Sequence, residues 1–414
     1  TFVTRSVPGR SALVVSAVAG ALLLSACAEP EAILPGERFD VRSVLRGDDG
    51  FEAQADLPVP ANTVRGISLP AATANTNWAQ SNGTPSTRIA NPALSATPRL
   101  AWSANIGSGD SRKQRITASP VVVGGRIFTI DSSAQVTATS ASGATLWARD
   151  LTPEMDSAGE ASGGGLAADG NTLYVSLGFG TVTALDMESG GTRWTQDLDA
   201  SGTGAPAVYE DMVYFTGGDD TGWALNKSDG RIKWQTGSST SMTNVLGGPA
   251  PAISAQIAVM AFGSGEVQGL FRQGGMDRWS TSVVGKRPGR AVANISDITG
   301  SPVISGDTVY VGNHSGRLAA LTLGGGERIW TAREGAIGPV WPAGDSIFAV
   351  TDLNELVRLD ASTGIRIWGT PLPNFVKEKP KRRSEVFANY GPIVAGGRVI
   401  VASNDGKLRS FDPT

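Results

Sequence analysis

The sequence predicts an all-β protein, a β-propeller of four-stranded blades. Three observations carry that prediction. Gly-x-x-x-Trp occurs six times, at Gly143–Trp147, Gly190–Trp194, Gly230–Trp234, Gly275–Trp279, Gly326–Trp330 and Gly364–Trp368, with the tryptophans 47, 40, 45, 51 and 38 residues apart. A period in the forties marks a repeat architecture. Each repeat holds four short apolar segments divided by Gly-containing turns, the content of one blade. Gly supplies 53 of 414 residues with no collagen period and few long helical patterns.

Taken in order, residues 1–26 read as a lipoprotein signal peptide. Arg5 and Arg10 form a positive start, and Ala12–Leu24 is an apolar run of 13 residues, short for a membrane span. It ends Leu24-Ser25-Ala26-Cys27, which resembles a bacterial lipobox with cleavage before Cys27 and a lipid on that residue. By lipoprotein sorting rules Ala28, in place of Asp, implies transfer to the outer membrane, where the protein would be anchored and not span. Residues 27–98 are rich in Pro, Ala, Asn, Thr and Ser without persistent periodicity, as expected of a tether and extended arm. Trp78 is the exception, an aromatic expected to pack onto the body.

Residues 99–414 are the propeller. The first unit has a small-Pro-apolar run at Ser119–Val123, a second strand at Arg126–Ile130, a third at Gln135–Ala138 and the Gly143–Trp147 segment. Later units begin at Gly163-Gly164-Gly165, Ala205-Pro206, Gly248-Pro249, Ser301-Pro302, Gly338-Pro339 and Gly391-Pro392, giving seven inner units. Gly ahead of the outer strand permits a positive φ. The Asp or Asn before it can bond its own turn. Each Trp can bury its ring between blades while its N–H finds a carbonyl, so Trp147, Trp194, Trp234, Trp279, Trp330 and Trp368 are read as structural docking residues. Trp102 reads as an outer strand that would complete the last blade. Asp412-Pro413-Thr414 looks like another copy cut short, and the chain opens on Thr. A fragment with an eighth blade missing is therefore one reading, and a seven-bladed ring closed by Trp102 is the other.

Net charge is −3, which argues against a nucleic-acid binder that works through a broad basic field. One His and one Cys cannot build a thiol/imidazole metal cage or an intramolecular disulfide. His314 is expected to be a solvated turn residue. Acidic residues such as Asp186 and Asp219-Asp220 fall in turns, where turn chemistry explains them. The basic run Lys377, Lys379, Lys381, Arg382 and Arg383 sits in a Pro-broken stretch read as an exposed loop.

Ala184, Asp186, Gly190 and Trp194 complete an A-x-D-x-x-x-G-x-x-x-W frame. That frame resembles the tryptophan-docking motif of quinoprotein-type (PQQ-like) propellers over residues 100–414. Elsewhere it is partial, with Arg358 standing for Ala in one copy. With the lipobox, the chain resembles the BamB family of outer-membrane β-barrel assembly lipoproteins. The resemblance implies eight blades, no enzymatic activity, no cofactor and no metal. It further implies a scaffold that binds the periplasmic POTRA domains of BamA within the BAM complex and faces the periplasm. It implies that the loop with Asp297, five residues before Pro302, meets BamA; a second Asp often found nearby is Thr299 here. Arg290 lies on the same loop, and Val245 and Leu246 on the neighbouring loop would offer apolar contact. A PQQ-dependent dehydrogenase shares the repeat, but its vicinal Cys pair is absent from this sequence. A generic periplasmic protein-binding propeller is the other alternative.

Overall fold

A computed structural model describes residues 60–111, 113–198, 200, 204–240, 248–285 and 297–414; Cys27, Val245, Leu246 and Arg290 lie outside them. Seven antiparallel sheets span 121–150, 164–197, 207–237, 252–282, 303–332, 341–371 and 389–411, and are called blades 1 to 7. Blades 1 to 6 have four strands in sequence order, named A to D, and blade 7 has three. A strands touch one another from blade 1 through blade 5 and between blades 6 and 7, so A lies at the axis and D at the rim. Tyr390, Ile393 and Leu408 leave one face of blade 7 exposed.

Burial follows from that geometry. The B strands Met212–Thr216, Ile257–Ala261 and Ser346–Val350 are buried at every position, because neighbouring blades cover both faces. Hence these segments read as continuous apolar runs with no alternation. Phe128 and Val136 of blade 1, for example, share a cluster with Leu166, Val175 and Leu185 of blade 2. D strands such as Ile232–Gly237 and Asp277–Ser282 are mostly exposed, and their third residue, Trp234 or Trp279, is buried.

The tryptophans join the blades by one repeated geometry. Each indole N–H donates to a main-chain carbonyl just after the C strand of the next blade. Trp147 reaches Met187 (3.1 Å), Trp194 reaches Lys227 (3.1 Å) and Trp234 reaches Arg272 (2.9 Å). Trp279 reaches Leu323 (2.9 Å), Trp330 reaches Ala361 (2.9 Å) and Trp368 reaches Pro413 (3.4 Å). Trp102 makes the same bond to Ala141 of blade 1 (2.8 Å). The ring lies on the turn glycine of the receiving blade, where an added Cβ at Gly143, Gly190, Gly230, Gly275, Gly326 or Gly364 would meet indole atoms at under 3.0 Å. Those glycines also hold φ between 69° and 88°. Within its own blade each Trp faces a small residue across the ladder, as in Ala184↔Trp194, Ala224↔Trp234 and Ala320↔Trp330. In every one of blades 1 to 6 except blade 4, an aromatic from the B strand packs against it, as in Tyr174–Trp194 at 5.9 Å. A buried indole with a satisfied N–H outweighs the exposed ion pairs of the same turns, such as Arg193–Asp186, which contribute roughly 0–1 kcal/mol.

Arg358 breaks the small-residue rule opposite Trp368. It is fully buried and donates to the carbonyls of Arg65 (2.5 Å), Gly66 (3.0 Å) and Pro413 (2.9 Å) and to Ser346 Oγ (2.9 Å). The departure from the repeat thus coincides with the place where the arm crosses blade 6. There Asn62 exchanges two bonds of 3.0 Å with Gly369, and Arg65 pairs with Asp345 and Asp360.

The arm then turns inward. Trp78 exchanges main-chain bonds with Val122 of blade 1 (2.6 and 2.8 Å), and Ala79 accepts from Ala168 of blade 2 (2.7 Å). The Gln80 side chain both donates to and accepts from Val208 of blade 3 (2.8 and 2.9 Å). Pro85 accepts from Ile253 of blade 4 (2.8 Å), and Ser86 accepts from Ile304 of blade 5 (2.9 Å). Asn82 donates to Pro302 (2.9 Å) and Arg88 to Pro339 ahead of blade 6 (3.4 Å). Pro92 and Asn91 accept from Gly396 and Gly397 of blade 7 (both 2.9 Å). Trp78 also stacks on Trp341, at 6.1 Å between centroids and 28° between planes.

Two substitutions test this account. Gly326→Ala is expected to cost about 1–3 kcal/mol through the indole clash and the positive φ, whereas Gly324→Ala, with nothing within 4 Å, should cost a few tenths. Equal urea midpoints for the two would remove the docking argument. Arg358→Ala restores the repeat consensus, a kind of change that usually stabilises. It is expected to lose about 3 kcal/mol by stranding buried carbonyls; an unchanged or raised midpoint would contradict that role.

Candidate partner-binding site

The loops between blades and the B–C turns gather around a crevice at blades 3 to 5. It is lined by Thr216, Gly217 and Asp220 of blade 3, Pro249, Phe262 and Gly263 of blade 4, and Asp297, Ile298 and Thr299 before blade 5. Its volume is about 20 Å³, room for a water and not for an organic ligand. The loops are tied across blades. Gly263 N–H donates to Asp220 Oδ1 (2.8 Å), Thr216 Oγ1 to the Pro249 carbonyl (2.8 Å) and Thr299 Oγ1 to the Ile337 carbonyl (2.8 Å). The Ala250 N–H donates to Ser301 Oγ (2.9 Å). These bonds make the rim of the crevice a fixed surface spanning three blades, suited to a protein partner more than to a small molecule.

Asp297 does not project from that surface. Its side chain is 2% exposed, and Ile298 beside it belongs to the core shared by blades 4 and 5. The apolar residue pulls the loop down and takes Asp297 with it. The Asp297 carbonyl accepts from His314 N–H (3.0 Å).

His314 differs from its expected solvated state. It is half-buried beside the fully buried Asn313. Asn313 is fixed by bonds to Val283, Ser315 and Arg317. Burial lowers the imidazole pKa, and the nearby Asp352 carboxylate opposes this only in part. Its Nδ1 is buried without a hydrogen-bond partner, so a second N–H there would have no acceptor.

Asp186 and Asp360 each open a turn and accept from its N–H groups. Asp186 is held well below the usual carboxylate range by Arg193 and by donors at Ser189 and Glu188. Around Asp360, burial opposes ionisation, but Ser362, Arg65 and Thr363 outweigh it and the pKa falls. Burial likewise opposes the Glu266 charge, and donors from Ser238 (2.6 Å), Ser280 (2.5 Å) and Gln268 (3.0 Å) reverse it. Among the described residues no cluster of three or more His, Cys, Asp or Glu could hold a metal ion. A second groove, about 290 Å³, lies between Asn62–Val64, the rim of blade 6 at Trp368–Thr370, and Phe411–Asp412. It brings Trp368 together with the arm and none of the other predicted site residues. Lys377, Lys379, Lys381, Arg382 and Arg383 are exposed, with Arg383 over the Phe375 ring at 4.7 Å.

Sequence reasoning missed the role of the arm amides Gln80, Asn82 and Asn91, and of Arg358. The signals were there: three amides close to a lone Trp in a loop-like stretch, and an Arg where the frame calls for Ala.

Blades sewn together by indoles that dock on the following turn define a tryptophan-docked, PQQ-like propeller. A family model described as Outer membrane protein assembly factor BamB matches residues 132–370 and 347–414, and the chain belongs to that family. Relatives with the same description include those of Moranella endobia, 27% identical over 66% of this chain and 71% of the relative, and Shewanella oneidensis, 26% identical over 77% and 80%. The Escherichia coli K12 protein is 22% identical over 75% of this chain and 78% of its own. Two solved structures share the fold. BamB from Moraxella catarrhalis has a TM-score of 0.60 at 18% identity, covering 74% of this chain and 88% of its own. A europium-containing methanol dehydrogenase has a TM-score of 0.57 at 14% identity, covering 82% and 84%.

The single histidine offers a clean measurement. Its imidazole should titrate with a midpoint below the ordinary ~6.5. Because the folded pKa is lowered, its contribution to stability is complete above the unfolded value and declines as pH falls through the window beneath it. One proton NMR titration of the His314 ring settles this; a midpoint at or above 6.5 would contradict the buried placement.

Proposed function

We propose that this protein is a non-enzymatic scaffold for the assembly of outer-membrane β-barrel proteins. In this reading it is held at the outer membrane by a lipid on Cys27, faces the periplasm, and binds the POTRA domains of BamA as part of the BAM complex. The observation that carries the reading is membership of the BamB family, whose model matches the propeller. The relatives are named for outer-membrane protein assembly. The lipobox at Leu24–Cys27 supports the anchor, and the small crevice among interlocked loops supports a partner surface over a substrate pocket.

The role is one of positioning. Val245, Leu246 and Arg290 are the proposed contact residues. Asp297 is assigned a supporting part: its buried side chain and its carbonyl bond to His314 hold the loop against blade 5. Apolar anchors at the centre of an interface carry most of its energy, and truncating one commonly costs more than 1 kcal/mol.

Capture of purified BamA POTRA domains by the lipid-free mature protein tests this. Enrichment is expected, with Val245→Asp and Leu246→Asp together reducing capture about tenfold or more. No enrichment by a preparation shown to be folded would sink the scaffold reading. Unchanged capture by the double variant would discard the site and leave the family assignment standing.

A further inference from the structure

The innermost strand of a propeller blade has one edge with no neighbouring strand, and its N–H and C=O groups must be satisfied by something at the axis. Here that something is the chain itself. Within the sixteen residues 77–92, the arm bonds to blades 1 to 5 and 7 and to Pro339 just ahead of blade 6, whose Trp341 it also stacks on. A segment so short can meet the innermost strands of blades 1 to 6 and the turn after that of blade 7 only from the axis. We propose that the propeller axis is a peptide-binding cradle, occupied in this protein by its own residues 77–92, and that this occupancy joins the innermost strands into one body.

The ligand class follows from the bonds. In blades 1, 2, 4 and 5 a strand N–H donates to a main-chain carbonyl of the arm. The cradle therefore takes an extended, turning polypeptide that offers carbonyls outward. Blade 3 is met differently, because Gln80 uses its side-chain amide as a surrogate peptide group, donating to and accepting from Val208. Gln80 and Asn82 are 6% and 2% exposed, so these are interior contacts. Gly83 at φ 90° and the Thr84 hydroxyl, which accepts from Thr87 N–H (2.9 Å), build the reversal that lets one segment face opposite blades. Arg88 spans the ring to Pro339, its guanidinium over Trp341 at 5.0 Å, where two π faces compensate a charge that burial pulls down to a pKa of about 10.

Amide hydrogen exchange on the full chain tests the proposal. Gln80→Ala removes only the partner of Val208. If the arm acts as one occupant of one cradle, exchange should accelerate at least tenfold at Val122, Ala168, Ile253 and Ile304 as well, whose amides bond to other residues of the arm. Acceleration confined to Val208 would overturn the proposal. Should that variant fail to fold, a protease site placed in the exposed stretch 93–99 can be cut after folding. The severed arm should stay with the propeller through gel filtration and exchange for a labelled peptide of residues 77–92, and a peptide carrying Gln80→Ala and Asn82→Ala should bind at least tenfold more weakly. An arm that leaves while inner-strand amides remain protected, or a doubly altered peptide that binds equally well, would overturn it.

Discussion

An indole laid on the turn glycine of the following blade is the constraint from which the rest of the molecule follows. A propeller blade has two apolar faces and cannot be stable alone. Each blade must be set at a fixed distance and angle to the next. The indole does both: its ring excludes any side chain larger than hydrogen at the turn, and its N–H is aimed at one carbonyl. Because the receiving glycine and the donor indole lie four residues apart in each unit, as with Gly190 and Trp194, blades 1 to 6 each carry both a donor indole and a receiving turn. The burial of the B strands and the exposure of the D strands are consequences of that spacing.

Where the repeat departs from itself, the arm is present. Arg358 displaces the small residue opposite Trp368 and spends its donors on arm carbonyls. Trp341 begins blade 6 with an aromatic that receives Trp78. The blades are thus not interchangeable, although their frame is. Blade 6 is adapted to a segment nearly three hundred residues away in sequence, which a purely local reading of the repeat has no means to detect.

Much of the fold was legible because it depends on local chemistry. Thr181–Asp186, Met212–Thr216 and Ser346–Val350 fall where alternation, turns and apolar runs place them. Blade count per unit of sequence follows from the tryptophan period. The site was less legible. Asp297 reads as a loop residue, yet Ile298 anchors its loop in the core, and a pattern of five residues without periodicity does not show which of them turns inward. His314 sits in a turn by every sequence criterion, and turns are normally wet. Only the packing of the neighbouring inter-blade loop dries it. The arm was the least legible part, since hydrogen bonds from amide side chains to distant strand edges leave no period behind.

The order of synthesis gives the arm a further significance. Asn62 is separated by 307 residues from Gly369, the residue with which it exchanges bonds. Contacts of such span form late, because closing the intervening loop has no reward until both ends are structured. The arm precedes every blade in the chain, and neighbouring blades can dock in pairs without it. The arm must then wait, its amides solvated, until the last inner strand exists. Its docking is a closing step, because its partners are spread over all the blades from 1 to 7.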